Sequence, residues 1–185
     1  MTGQTAENTN IARRNVLKGC LAAALLPVSK VIHAAPQDRR LTLYGVHTGE
    51  FLDVVYFRDG AYDTQALAQI NHTLRDHREN ESTAMDVHLI DWLHHLHTSL
   101  AAPEPFRFIS GYRTQKTNNA LRAAGRGAAK RSYHLTGRAI DIFPPGVPLS
   151  NLVEAARQNA YGGVGQYTRI GFVHLDTGPA RHWVR

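Results

Sequence analysis

Two histidines and one aspartate have residue types and spacings that suit metal chemistry. The stretch SYHLTGRAIDI sets six residues, including a turn-forming Thr-Gly, between His134 and Asp141, and His174 follows in FVHLD. Two imidazoles and one carboxylate suit Zn²⁺ in a catalytic site, where the open fourth position holds a water whose pKa falls to about 7. From spacing alone, a buried His-Asp hydrogen-bonded pair beside an unrelated histidine is an equally good interpretation.

Strand geometry must bring these side chains together. Side chains alternate along Ala139 to Phe143, so Asp141 lies on one face with apolar neighbours. A carboxylate in such surroundings is costly unless another group satisfies its charge. In the last apolar strand, the same alternation places His174 and Asp176 on one face. The pattern therefore predicts two strands that each present polar groups from an apolar setting.

The rest of the chain alternates between strand and helix patterns without internal repeats. Together these patterns predict an α+β fold, with a small antiparallel sheet packed with helices. We expect a β-hairpin at Leu41 to Val46 and Phe51 to Phe57, helices at Asp63 to Arg78, Asp86 to Leu100, Thr117 to Ala124 and Leu149 to Ala160, strands at Phe106 to Ile109 and Ile170 to Leu175, and a turn at Gly162-Gly163.

Four more histidines fall within the predicted helix from Asp86 to Leu100. A leucine stripe sets the buried side of this helix and leaves most of the histidines on its polar flanks. No carboxylate-histidine spacing organises them into a ligand set. We therefore interpret these four histidines as surface residues: His88, His94, His95 and His97.

The N-terminal segment has the composition of an export signal. Paired arginines in RRNVLK precede an apolar run at Leu21 to Leu26, and the small residues Ala34 and Ala35 follow. Pro27 interrupts the run well short of the roughly 20 apolar residues that span a bilayer, which argues against a transmembrane anchor. We expect residues 1–34 to be a twin-arginine-type signal peptide and residues 35–185 to be a periplasmic domain.

The composition of that domain limits the classes of partner that it is expected to bind. The chain has 21 basic and 15 acidic residues; residues 1–34 hold four and one of these, so 17 minus 14 leaves a charge of +3 on residues 35–185. This weak surplus argues against nucleic acid as a partner. Basic residues between Arg113 and Arg138 are either solvated or attract an anionic polymer such as the cell wall. The single cysteine, Cys20, lies in the leader, so the domain has no disulfide and no thiolate nucleophile.

A family resemblance favours the metal interpretation. The runs SGYRTQKTNNALRAAGRGAAKRSYHLTGRAIDI and GGVGQYTRIGFVHLDTGPARHW closely resemble the zinc murein endopeptidases of the MepK (YcbK-like) group, within the D-alanyl-D-alanine metallopeptidase and hedgehog-type superfamily. The resemblance implies a hedgehog/D,D-peptidase-like zinc fold and one Zn²⁺ per chain, held by His134, Asp141 and His174. It also implies that Arg113 lies near the substrate, where it binds a carboxylate or stabilises the oxyanion.

The general base is not settled by the resemblance. The D-alanyl-D-alanine dipeptidases of the superfamily place a glutamate three residues before the last histidine, and this chain has Gly171 there. Others use a histidine two residues before it, where this chain has Phe172. The nearby candidates are Asp176 and His182. We expect Asp176 to orient a ligand or shape the Asp-Thr-Gly turn, in preference to acting as the base.

These observations predict a zinc metallopeptidase that hydrolyses peptide cross-links of peptidoglycan. The sequence leaves open whether the bond is of D,D or L,D type. Two alternatives use the same residues: a peptidoglycan-binding zinc module without catalytic activity, and a D,D-carboxypeptidase that trims stem peptides. The sequence does not indicate the oligomeric state.

Overall fold

The structure, a computed structural model, describes residues 2–3, 37–159 and 161–185. The predicted cleavage site and all but two residues of the predicted signal peptide lie outside this part of the chain. No helix within it is long and apolar enough to cross a membrane. In chain order the elements are β1 (Arg39–Gly45), β2 (Phe51–Arg58), β3 (Ala61–Tyr62), α1 (Thr64–Thr73), α2 (Val87–Ser99), β4 (Phe106–Ser110), α3 (Gln115–Ala123), a 3-10 helix (Tyr133–Thr136), β5 (Ala139–Phe143), α4 (Leu149–Asn159), β6 (Gly163–Tyr167), β7 (Phe172–Asp176) and β8 (Arg181–Val184).

The eight strands form one open sheet in the order β3-β2-β1-β4-β5-β7-β6-β8. The predicted α+β class is confirmed, but the sheet is larger than expected and mixed. Strand β1 pairs in parallel with β4, and β6 pairs in parallel with β8. A parallel pair needs a crossover connection. The connection from β1 to β4 contains helices α1 and α2, and the connection from β6 to β8 contains β7.

The hydrophobic core lies on one face of the sheet. Alternate residues of the central strands, such as Ile140, Ile142 and Val173, are fully buried there. They pack in one cluster with the leucine stripe of α2 and with Leu152 of α4. The opposite side-chain set of β5 and β7 is therefore free to carry polar groups.

Helix α1 ends earlier than its sequence pattern suggests. It begins as predicted, because Asp63 accepts hydrogen bonds from the main-chain N–H groups of Gln65 and Ala66 at 2.8 and 3.1 Å. The pattern predicts a helix as far as Arg78, but the helix ends at Thr73. Beyond the helix end, buried Asp76 accepts two hydrogen bonds from Thr114, both of 2.9 Å. This contact anchors the start of α3 directly after Arg113.

Three strands, β3, β6 and β8, were not predicted from the sequence. The expected turn at Gly162-Gly163 was wrong in part, since Gly163 already begins β6. The hairpin, the other helices and strands β4, β5 and β7 lie within a few residues of the expected positions. The α2 histidines have surface roles: His94 and His97 contact main-chain oxygens of Arg40 and Glu104.

Candidate metal centre

Three elements bring the predicted ligands together. Strands β5 and β7 pair with Asp141 directly opposite His174. The 3-10 helix supplies His134, and Gly137, with a φ of 67°, ends that helix so that the chain can enter β5. The β-strand alternation predicted for Asp141, His174 and Asp176 is confirmed by this register.

The facing atoms of the three side chains form a compact group. The ligand atoms of His134, Asp141 and His174 all lie within 4.8 Å of one another, and no other such group of three occurs among the described residues. His174 Nδ1 is 2.8 Å from Asp141 Oδ1, and His134 Nε2 is 3.3 Å from the same oxygen. The two ring nitrogens are 3.2 Å apart.

The outward-facing nitrogen of each ring is held by an acceptor. His134 Nδ1 donates to the Gly111 main-chain oxygen at 2.6 Å, and His174 Nε2 donates to Asp176 Oδ2 at 3.0 Å. When both rings are neutral, these acceptors hold the ring protons, so that the lone pairs of His134 Nε2 and His174 Nδ1 face each other and Asp141. Two imidazole nitrogens and one carboxylate oxygen are a donor set that fits a zinc ion with an open position.

Asp141 uses its two oxygens differently. Oδ1 faces both imidazoles, whereas Oδ2 accepts a hydrogen bond of 2.6 Å from Arg113 Nη2. Arg113 Nη2 also lies 3.0 Å from His134 Nε2, and its Nε donates to Ser110 Oγ at 2.8 Å. The structure thus places Arg113 directly beside the candidate ligands. Its Nη1 makes no hydrogen bond within the described chain.

Asp176 lies behind His174 and is fully buried. Arg181 donates to both of its oxygens, at 3.0 and 2.7 Å, and the Gly178 N–H donates at 2.9 Å. With the His174 contact, both carboxylate oxygens are fully used. Asp176 therefore occupies both places expected from the sequence: it contacts His174, and it lies in the Asp-Thr-Gly turn. Neither of its carboxylate oxygens is exposed.

Arg181 and Trp183 belong to the site but were not singled out by sequence analysis. The Arg181 guanidinium lies between two rings, 5.4 Å from the Tyr133 centroid and 5.1 Å from the Trp183 centroid. A Cβ on Gly163 would lie 2.6 Å from Arg181, and one on Gly165 would lie 2.4 Å from Trp183. The one signal in the sequence is the alternation of Gly163 and Gly165 in β6, which leaves room for large side chains but does not say which strand supplies them.

The charges of the centre shift its pKa values in opposite directions. Burial alone would raise the pKa of Asp141, but His134 and His174 hold that pKa well below its usual range. Burial lowers the pKa of His134, which favours the neutral imidazole. Burial would also lower the pKa of His174, but Asp141 and Asp176 raise it to about 9. Metal binding at His174 is thus expected to release a proton.

His182 is not brought to this centre. It pairs with Val164 in β6, whose side chain belongs to the core face, whereas the neighbouring Arg181 and Trp183 pair with Gly163 and Gly165. Successive side chains of a strand point to opposite faces, so His182 lies on the other side of the sheet and is exposed. Its predicted role as a general base has no geometric support.

The three candidate ligands lie in an open groove of about 1220 Å³. Its lining combines an apolar set with seven arginines. Among the described residues that line it, Asp141 is the only Asp or Glu. The apolar part includes Phe143, Tyr167, Ile170, Phe172 and Trp183; the arginines are Arg78, Arg113, Arg126, Arg131, Arg169, Arg181 and Arg185.

The fold and the centre together define a class: an α+β domain in which two imidazoles and one carboxylate can hold a metal ion at an open, substrate-sized groove. Residues 33–183 match the peptidase family described as Peptidoglycan L,D-endopeptidase MepK, and the chain belongs to this family. The resemblance stated from the sequence is thereby confirmed.

Named relatives agree with the family match. The chain is 46% identical over 164 residues to "Peptidoglycan L,D-endopeptidase MepK" of Escherichia coli. These matched residues make up 88% of this chain and 90% of the relative. The Shigella flexneri protein of the same name gives the same values. "Probable peptidoglycan L,D-endopeptidase MepK" of Haemophilus influenzae is 35% identical over 165 residues, covering 88% and 89%.

Proposed function

We propose that this protein is a zinc-dependent endopeptidase that hydrolyses L,D peptide cross-links of peptidoglycan. The observation that carries the proposal is the convergence of three metal-binding atoms, from His134, Asp141 and His174, at an open groove. The family match and the names of the relatives support the substrate class and the L,D bond type.

The chain's own residues prepare this centre for hydrolysis. A bound zinc ion would supply a Lewis acid and a water with a lowered pKa. The Gly111 carbonyl and Asp176 fix the two imidazole rings, so that each ring directs a lone pair to the centre. Arg113 holds Asp141 Oδ2 and thereby leaves Oδ1 for the metal. Arg113 lines the groove beside this centre, where its guanidinium would donate to a substrate carbonyl oxygen.

Asp176 is unsuited to act as the general base. Burial would raise its pKa, but hydrogen bonds from His174, Arg181 and Gly178 lower it to about 2. Its oxygens have no access to a water in the groove, because it is fully buried and both oxygens already accept hydrogen bonds. We therefore assign Asp176 the role of orienting His174.

We also propose that residues 1–34 direct export by the twin-arginine route and that residues 35–185 act in the periplasm. The start of the family match at residue 33 supports this boundary. Replacing both Arg13 and Arg14 with Lys should retain the protein in the cytoplasm, which cell fractionation would measure. Unchanged export of that variant would contradict the twin-arginine assignment.

The experiment that tests the activity uses purified peptidoglycan dimers with L,D or D,D cross-links. The protein should convert L,D dimers to monomers, as identified by mass; a chelator should stop the reaction and zinc should restore it. Binding of wall without soluble products would favour the binding module. Release of single terminal residues without opening of dimers would favour the carboxypeptidase.

A further inference from the structure

The charge of the domain is concentrated in the groove. Seven of the 17 basic residues of residues 35–185 line it, against one of the 14 acidic residues. A cleft with charge of one sign focuses its field and attracts ligands of the opposite sign. The metal centre alone does not require this excess, because its one carboxylate is already paired with Arg113.

Most of these arginines have no acidic partner. Arg113 pairs with Asp141, and Arg181 pairs with Asp176. Within the part of the chain that the structure describes, the other five form no ion pair and all five are exposed. They are Arg78, Arg126, Arg131, Arg169 and Arg185. Their guanidinium groups are therefore available to an anionic ligand.

Arg169 and Arg185 lie at the same end of the groove. The main-chain oxygen of Arg185 accepts hydrogen bonds from the Thr168 N–H at 2.8 Å and the Thr168 hydroxyl at 3.0 Å, and Arg169 follows Thr168 in the chain. The Arg185 guanidinium also faces the loop that carries Arg126, since a Cβ on Gly127 would lie 3.6 Å from it.

An apolar platform lies between these arginines and the metal centre. Phe172 and Phe143 each lie two residues from a candidate ligand on the same strand face, a separation of about 7 Å. Tyr167 stacks on Phe172, with centroids 4.4 Å apart and an interplanar angle of 9°. An extended peptide advances about 3.3 Å per residue. A substrate with its scissile carbonyl at the centre would therefore place its next residues over the platform.

We propose that Arg169 and Arg185 form a carboxylate subsite, which binds a free carboxylate of the cross-linked peptide within two residues of the scissile bond. The inference rests on the proposed function and adds that the groove selects substrates with a free carboxylate near the scissile bond. The platform packs against the aliphatic part of the substrate, and the arginines pair with its carboxylate by charge-assisted hydrogen bonds. The subsite distinguishes a free carboxylate from an amide of nearly equal size.

The test uses two synthetic cross-linked peptides that differ only in this carboxylate, which is free in one and amidated in the other. The protein should cleave the free acid with a kcat/KM about tenfold or more above that of the amide. In the R169Q/R185Q double variant this ratio should fall to about one. R185K, which keeps the charge but not the planar fork, should retain part of the preference.

The matched control is R157Q, because Arg157 is an exposed arginine on α4 that does not line the groove. This variant should keep the wild-type ratio. Equal cleavage of both peptides by the wild-type protein, or a preference that survives in the double variant, would overturn the subsite and leave the endopeptidase proposal standing. Cleavage of neither peptide would overturn both.

Discussion

Two regions of the molecule each surround a carboxylate with donors, yet only one can support chemistry. In the first, which we call the tyrosine cluster (Arg39, Tyr56, Tyr62 and Asp91), Asp91 Oδ1 accepts from Tyr56 at 2.9 Å and lies 2.8 Å from Arg39. Asp91 Oδ2 accepts from Tyr62 at 2.7 Å. In the candidate metal centre, Asp141 pairs with Arg113 in a similar way.

The difference lies in what faces the carboxylate. Every partner of Asp91 in the tyrosine cluster is a donor, so the cluster is complete in itself and links β1, β2, β3 and α2. At Asp141, one oxygen faces two imidazole nitrogens, which can both act as acceptors when the rings are neutral because Gly111 and Asp176 hold the other ring protons. Three such converging acceptors need a cation: Arg113 and a proton on His174 supply the positive charge without a metal ion, and a bound metal ion would replace that proton. A charged and partly buried carboxylate is therefore not enough to indicate a functional site; the convergence of acceptors is.

Loss of a ligand should have the largest effect and should separate the two regions. His134→Ala removes one of three metal donors, so zinc binding and cross-link cleavage should fall by about a thousandfold or more. Circular dichroism should show that the fold is retained. The matched variant Tyr62→Phe removes a donor of the tyrosine cluster and should leave kcat/KM unchanged. Wild-type cleavage by the His134 variant would refute the ligand assignment.

A smaller effect is expected from the residue that holds Asp176. Arg181→Gln removes two charged donors from Asp176 and so loosens the carboxylate that orients His174. Zinc affinity, measured by competition with a chelator, should fall by about tenfold to a hundredfold. Arg181→Lys should recover part of this loss. An unchanged zinc affinity in Arg181→Gln would show that Asp176 holds His174 without help from Arg181.

Much of this candidate centre could be predicted from the sequence, because two of its three candidate ligands lie on strands with clear alternation. Asp141 and His174 alternate with isoleucine, valine and leucine, and this alternation determines the face of the sheet on which they lie. Arg181 and Trp183 were not found, since β8 is a short edge strand without an apolar alternation. The contact between Asp176 and Arg181 depends on the parallel pairing of β6 and β8, which local sequence does not reveal. The same pairing determines the face on which His182 lies, so the sequence alone could not separate this candidate from the centre.

A substitution in the tyrosine cluster should lower the stability of the protein and leave its activity unchanged. Asp91→Asn removes the charge that pairs with Arg39 and weakens the acceptors of two tyrosine hydroxyls. We expect the free energy of unfolding to fall by about 1–3 kcal/mol, because a partly buried cation and two hydroxyls lose their best acceptor. Denaturant unfolding and kcat/KM measured on the same preparation would test this. A loss of activity without a loss of stability would place the cluster in the functional site.

The smallest effect is the pH dependence of that stability difference. Burial would raise the pKa of Asp91, but hydrogen bonds from Arg39, Tyr62 and Tyr56 lower it below the unfolded value of about 3.9. The ionised form is then favoured in the folded state. Its contribution is fully present above the unfolded pKa and is lost as pH falls through the folded pKa. The difference in unfolding free energy between the wild-type protein and Asp91→Asn should be constant from pH 7 to about pH 5 and should narrow below about pH 4. Because both proteins share all other titrating groups, their difference isolates Asp91. A difference that stays constant down to pH 3 would show that the charge of Asp91 does not stabilise the cluster.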